Sequence, residues 1–223
     1  MTLENQASPG APASGPERPR SVADSWAFRN RGLLGGLCLA PAVLAAVFGS
    51  PWFASVGVFA WTADLLGWLF FLAYVAMRIW ATLYIGGAKD RRLQTKGPYS
   101  VTRNPLYVGS LCFALSIACF LKSLSVVALT LLASGIYIYW VVRAEEDVLQ
   151  GIFGAAFTEY LQRTPRVIPR FALYQAAPTV EVNLRAFRTE AQRLLVASSM
   201  PFLALFVFQS QRLAWWPHWF RLP

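Results

Sequence analysis

The chain has 223 residues, 56% of them hydrophobic and 15% aromatic, but only 14% charged, with a formal charge of +9. Soluble domains carry about 25% charged residues, so this composition excludes an ordinary soluble fold and points to a membrane protein. A single histidine (His218) and three cysteines, all inside apolar runs, argue against a His-based metal site, Ser-His or Cys-His catalysis and a disulfide framework.

Residues 1–25, with "QASPGAPASGP" inside them, hold few large apolar residues and are expected to be a disordered tail. Five apolar runs follow, at roughly 32–50, 56–85, 106–121, 124–142 and 191–208. A helix needs about 20 residues to cross the hydrocarbon, with about 17 as a lower limit. The expected fold is therefore an all-α integral membrane protein of about five transmembrane helices. Residues 26–88 would form the first two spans. The third and fourth runs, separated only by "LKS", would form a helical hairpin within a core unit at 89–170. Residues 171–223 would supply an amphipathic interfacial helix, with Leu184, Phe187, Ala191, Leu194 and Leu195 at helical spacing, then a fifth span broken by Pro201.

Lys and Arg distribution orients this arrangement. With the N-terminus inside, sixteen of the twenty Lys and Arg fall on cytoplasmic segments and only Lys122, Arg212 and Arg221 fall outside. The positive-inside rule then predicts a multi-pass protein of a bacterial cytoplasmic membrane, N-terminus in. The positive charge needs no nucleic acid partner, because it faces the anionic leaflet of the lipid bilayer.

The hairpin returns the chain to the face it left, so the segments at its two ends become neighbours. The first is "KGPYSVTRNPLYVG" (96–109) and the second starts at "EEDVLQ" (145–150). In "RNPLY", Asn104 can cap a helix, Pro105 suits the first helical position and Tyr107 suits an aromatic belt. Glu145 and Glu146 are adjacent like charges at the end of an apolar run and need cations. Arg103 and Arg143 are the expected local ones, or else a bound positive ligand. Arg78, inside the second run, is a candidate substrate contact.

"GPYSVTRNPLYVG", a hairpin, then "EEDVLQGIFGAAFTEYLQRTPRVIP" resembles the isoprenylcysteine carboxyl methyltransferase and phospholipid methyltransferase superfamily of membrane enzymes. The resemblance covers about residues 89–170. It implies S-adenosylmethionine as cofactor, contacted by Tyr99, Asn104, Pro105, Leu106, Tyr107 and Glu145, and more weakly by Leu93. It implies methyl transfer to a lipophilic acceptor at the cytoplasmic interface. The charges themselves, apart from the resemblance, offer Arg103 and Glu146 as catalytic candidates and Arg78 and Arg143 as acceptor contacts. The types suit the cofactor: a carboxylate accepts from hydroxyls or ammonium, and aromatic rings meet the sulfonium or stack on adenine. This sequence departs from the pattern at three places. Asn104 stands where the eukaryotic carboxyl methyltransferases have His, Val141 stands at their substrate-binding Arg, and Phe157 stands at the first Tyr of the second motif. Two other readings stay open: a sterol-reductase-like oxidoreductase using NADPH, and a non-catalytic membrane module with a relic cofactor pocket.

Overall fold

The computed structural model describes residues 30–51, 57–85, 92–213, 215–217 and 220–222. The tail at 1–25 and His218 lie outside the described residues. The chain is an all-α membrane protein, with helices α1 (Arg31–Phe48), α2 (Val58–Ile85), α3 (Pro98–Val101), α4 (Pro105–Phe120) and α5 (Leu124–Phe153). These are followed by α6 (Ala155–Arg163), a single 3-10 turn (Phe171–Leu173), α7 (Leu184–Ala197) and α8 (Met200–Ser210). Two three-residue strands, β1 (Gly49–Pro51) and β2 (Phe220–Leu222), pair in parallel and tie the end of α1 to the C-terminal segment.

Three stretches are long and apolar enough to cross a membrane: α2, α5 and the continuous run Leu184–Ser210. Leu33–Phe48 in α1 and helix α4 (Pro105–Phe120) are apolar but shorter. At 1.5 Å per residue, the 16 residues of α4 reach about 24 Å. Of the five expected spans, three are thus long and apolar enough to cross a membrane, and the other two runs form shorter apolar helices. Large apolar side chains point outward, among them Trp61, Trp140 and Phe202, as they do in proteins whose solvent is lipid.

Helix α2 packs on α4, α1 on α5, α7 on α2 and α8 on α4. Small residues carry the closest of these contacts, as expected where van der Waals fit replaces the hydrophobic effect. Ala45, Ala46, Ala118 and Ala204 surround the fully buried Phe120. A Cβ on Gly67 would lie 2.8 Å from the Phe120 ring, and Ser116 Oγ donates to the Gly67 carbonyl at 2.8 Å, so α2 and α4 touch backbone to side chain. At the hairpin tip Lys122 takes a left-handed conformation (φ 50), ends α4 and reaches Asp64 of α2 at 2.8 Å.

One expectation needs correction and another is refined. The fourth apolar run does not end near residue 142: α5 continues through both glutamates to Phe153 and stops at Gly154 (φ 54). Glu145 and Glu146 therefore sit within a helix, where the terminal dipole does not reach them. The fifth run, expected to be broken by Pro201, breaks just before it. It divides at Ser198–Ser199, with Pro201 seated in the first turn of α8, where its missing N–H removes no hydrogen bond. The amphipathic reading of 184–195 fits α7 in part: Leu194 packs against the buried Phe71, Tyr74 and Ala197 while Arg185, Arg188 and Arg193 are exposed, but Leu184 and Leu195 are also exposed and Glu190, 5% exposed, is buried.

Candidate active site

A cavity of about 790 Å³ opens between the ends of the hairpin, within the 300–1,000 Å³ usual for cofactor and ligand sites. Helix α2 contributes Arg78, and the segment before α3 contributes Leu93. Tyr99, Arg103, Asn104, Pro105, Leu106 and Tyr107 come from the "GPY" segment, and Glu145 and Glu146 from α5. Arg143 is the one expected site residue outside the lining. It is exposed, donates to the Tyr139 hydroxyl at 2.9 Å and lies over that ring.

The second segment folds back on the first. Arg103 N–H donates to the Pro165 carbonyl and Arg170 N–H to the Val101 carbonyl, both at 2.9 Å. Thr102 Oγ1 donates to the Val167 carbonyl at 3.1 Å. Further along, Gly97 N–H donates to the Gln175 carbonyl at 2.8 Å, while Gln175 N–H donates to Ser100 Oγ at 2.9 Å. Gly97 holds φ 61 and ψ −131, a conformation reserved for glycine, and its N–H can meet Gln175 only because the chain turns there. Pro98 through Val101 are all buried as a result.

Glu146 is the hub of this clasp. Its Oε1 accepts from Arg103 Nη1 at 2.7 Å and Arg166 Nε at 3.2 Å, and its Oε2 accepts from Arg166 Nη2 at 2.6 Å. The second cation is therefore Arg166, twenty residues on, and not Arg143. Burial pushes Arg103 below the usual arginine value, and Glu146 draws it back up. Beside the clasp, Tyr107 donates to Glu145 Oε1 at 2.7 Å and meets the Tyr137 ring edge-on. Asn104 occupies the N-cap position of α4 but makes no side-chain cap bond. Its Nδ2 donates instead to the Arg166 carbonyl at 2.9 Å, so Asn104 staples the two segments while lining the cavity. Val141, at the position where an acceptor-binding Arg was expected by resemblance, is buried.

Tyr99 is 6% exposed and its hydroxyl has no hydrogen-bond partner among the described residues. Burial raises its phenol well above the ordinary tyrosine value; Tyr160 adds to the shift and Arg78 opposes it. Tyr160 is raised for the same leading reason, and its hydroxyl donates to the Tyr99 carbonyl at 2.7 Å. Both phenols are therefore proton donors at neutral pH.

The family of membrane methyltransferases is also found by comparison of the whole sequence. The phospholipid methyltransferase family matches residues 44–156, about half of the chain. The chain belongs to this family. The matched segment holds Tyr99, Asn104, Tyr107, Glu145 and Glu146, so the cavity lies mainly on the family's own elements. Among curated proteins, the chain is 38% identical over 130 residues to the cobalt-zinc-cadmium resistance protein CzcN of Cupriavidus metallidurans, covering 58% of this chain and 57% of that protein. It is 30% identical over 146 residues to the nickel-cobalt-cadmium resistance protein NccN of Alcaligenes xylosoxydans xylosoxydans, covering 66% and 68%. The alignment thus spans little more than half of the first relative's length. No solved structure matches the chain. Among the described residues, no three His, Cys, Asp or Glu side chains converge to hold a metal ion.

Two residues at this cavity carry no clear signal in the sequence. Arg166 had only its place in "TPRVIP" to mark it. Glu190 pairs with Arg78 Nε at 2.5 Å and lines the cavity from α7. Its signal was a lone acid in a helix of arginines, in line with Ala186 and Ala197 on the inward face.

The staple at Asn104 is testable. Asn104→Asp removes the donor to the Arg166 carbonyl and sets a carboxylate near Glu146, and is expected to lower stability by about 1–3 kcal/mol. Asn104→His, which can still donate, should lose less, and Asn104→Ser should fall between them. Equal apparent melting temperatures across the three variants in detergent would return Asn104 to a simple cap.

Proposed function

We propose that the chain transfers a methyl group from S-adenosylmethionine to a lipophilic acceptor at the cytoplasmic interface of a bacterial inner membrane, with its N-terminus inside. The observation that carries this reading is the unpartnered, buried Tyr99 hydroxyl on a cavity wall shared with Glu145 and Tyr107. A buried donor without an acceptor is costly, about 1–3 kcal/mol, and a ligand oxygen or nitrogen would relieve it. Glu145 supplies the complementary charge for a cationic, ammonium-bearing ligand, with Tyr107 fixing one of its oxygens. Tyr99, Asn104, Tyr107 and Glu145 would hold the cofactor, with Pro105, Leu106 and Leu93 against its apolar parts. When bound, S-adenosylmethionine supplies an already activated methyl on a sulfonium, so the protein's task is positioning and exclusion of water. The Arg103–Glu146–Arg166 clasp is the positioning device, because it fixes the "GPY" segment to α5. Two relatives are named as metal resistance proteins, which suggests metal stress as the setting in which to look for this activity. Membrane lipids of a strain lacking this gene, grown with cobalt, zinc, cadmium or nickel, are where a missing methyl should be sought.

The decisive test is binding of labelled S-adenosylmethionine and of NADPH to the detergent-purified chain, followed by transfer of label into a membrane lipid extract. S-Adenosylmethionine should bind, and Glu145→Gln should weaken it by about 1–3 kcal/mol while the protein stays monodisperse. Preference for NADPH would overturn the reading in favour of a reductase. Binding without transfer to any lipid fraction would leave a relic pocket.

A further inference from the structure

One side of the cavity is closed by α7, through Asn183, Ala186, Thr189 and Glu190, yet this helix is only loosely held. Of its 14 residues, Glu190 and Ala197 alone are buried. Leu194 packs on Phe71 and Tyr74 of α2 beside Ala197, so the apolar hold sits in the last turn. Midway along, Glu190 pairs with Arg78 of α2 at 2.5 Å, with side chains 7% and 17% exposed. In the first turns Leu184, Arg185 and Arg188 are exposed. Before α7, the chain is anchored at Gln175, which bonds Gly97, Ser100 and Lys96. Residues 176–183 then run without regular secondary structure and are mostly exposed. A tether of that length reaches up to about 26 Å, so it does not fix where α7 begins. After α7 comes a junction built to bend. Ser198 and Ser199 turn their hydroxyls back to the Leu195 and Val196 carbonyls at 2.6 and 2.7 Å. Pro201 brings no N–H to carry the helical ladder across, and prolines and serine pairs are where helices bend. Beyond the junction α8 is firmly seated, with Ala204 and Phe208 buried.

We propose that α7 is a lid that swings about Ser198–Ser199, latched by the Arg78–Glu190 pair, and that it closes over the bound cofactor. The inference rests on the reading that the cavity takes S-adenosylmethionine. Arg78 is the fixed post of the latch. Gly109 of α4 has no side chain, and a Cβ there would lie 3.1 Å from Arg78 Cγ, so the arginine stem lies against α4. Glu190 is the moving half, and it carries its own counter-charge. Arg193, three residues on and 64% exposed, pairs with it at 3.5 Å and travels with the same helix. When the lid opens, Glu190 keeps Arg193 and meets water, so its charge is never stranded. A buried ion pair also adds little net stability, because the cost of desolvation offsets much of the attraction. Such a pair holds its geometry when shut and releases at low cost. A polar, zwitterionic cofactor must enter from water, and methyl transfer then needs water shut out, two demands that a hinged wall meets in turn. Helix α7 lies beyond residue 156, where the family match ends, so the gating device belongs to the part of the chain outside it.

The test measures distances between pairs of spin labels by pulsed electron resonance, on the full detergent-purified chain with its three native cysteines replaced by alanine. One label sits at Leu184→Cys on the exposed tip of α7. The reference is Glu159→Cys on α6 or, in a second series, Trp140→Cys on α5, so that a swing at constant distance from one is seen by the other. At 1.5 Å per residue the tip lies about 21 Å from the hinge, so a swing of about 15° moves it by about 5 Å and Leu195 by about 1 Å. Without ligand, the tip should show a closed and a displaced population, and saturating S-adenosylmethionine should leave only the closed one. Glu190→Gln should raise the ratio of displaced to closed at least about threefold. A label at Leu195→Cys should stay within about 2 Å of its place throughout, which separates a swing from unfolding of the helix. Pro201→Ala restores the missing N–H and should narrow the spread at the tip. The proposal is overturned if the tip gives one narrow distance in both the wild-type chain and Glu190→Gln, or if Leu195 moves as far as Leu184. It also falls if Pro201→Ala leaves the spread unchanged, or if bound S-adenosylmethionine does not shift the tip. Failure of S-adenosylmethionine to bind at all would strike the proposed function, and the Glu190→Gln comparison would still decide whether α7 swings.

Discussion

Glu146→Gln is expected to destabilise the folded protein by about 3 kcal/mol, toward the low end of what loss of one partner in a buried ion pair costs. The carboxylate now accepts three guanidinium hydrogen bonds, and its side chain is only 10% exposed. Glutamine keeps the shape but offers one acceptor oxygen and no charge, so Arg103, 14% exposed, is left as a buried cation. Arg166, 39% exposed, can turn to water, which is why the effect stays near the lower figure. The consequence is local before it is global: without the clasp, the "GPY" segment is released from α5, and cofactor affinity should fall with stability. Arg103→Gln in the same chain removes the stranded cation, so the double variant should be more stable than Glu146→Gln alone. Apparent melting temperatures of the two single variants and the double variant form the cycle that measures this. Simple additivity would mean that Glu146 and Arg103 do not act as a pair.

Gly97→Ala should be as damaging, for reasons of backbone and not of charge. At φ 61 and ψ −131 an alanine is strained, and its Cβ would fall 2.3 Å from two carbons of the Tyr84 ring. Strain and overpacking together are expected to cost about 3–5 kcal/mol. Tyr84 lies at the end of α2, where its carbonyl accepts from Gln94 Nε2 at 2.9 Å, so a displaced ring also disturbs Leu93 and Gln94 on the cavity wall. Trimming the ring in a Gly97→Ala/Tyr84→Ala double variant removes the clash and leaves the strain, and should recover about half of the lost stability. A monodisperse Gly97→Ala protein with an unshifted melting temperature would mean that this turn is not rigid.

These two predictions concern residues that were legible in the sequence to different degrees. Gly97 belongs to a motif that can be recognised by eye, and its resemblance to a methyltransferase segment brought Tyr99, Asn104, Tyr107 and Glu145 to notice before any fold was known. Glu146 was noticed because adjacent glutamates at the end of an apolar run are costly, and of its two expected cations Arg103 does pair with it while Arg143 does not. Arg143 is three residues before it and therefore a helical neighbour. The other row of the same helix offered Arg143 the Tyr139 hydroxyl four residues back, and Arg143 took that contact on the exposed side.

The sequence by itself determined the all-α membrane class, the hairpin and the convergence of its two flanking segments. Those follow from local facts: the length of apolar runs, the need to satisfy backbone hydrogen bonds within each helix, and motif spacing. Beyond Arg103 and Glu146, only the tertiary structure decided which charges meet. Arg166 reaches Glu146 because the chain turns back after α6, and Arg78 finds Glu190 across 112 residues by the packing of α7 on α2. Periodicity marked α7 as amphipathic but could not say that Glu190 would be buried, since that depends on Arg78 of α2 lying opposite it. The extent of α5 was decided in the same way. Its stop is the glycine at 154, and inside the helix Glu146 is matched by Arg103 and Arg166 from distant segments while Glu145 accepts from Tyr107.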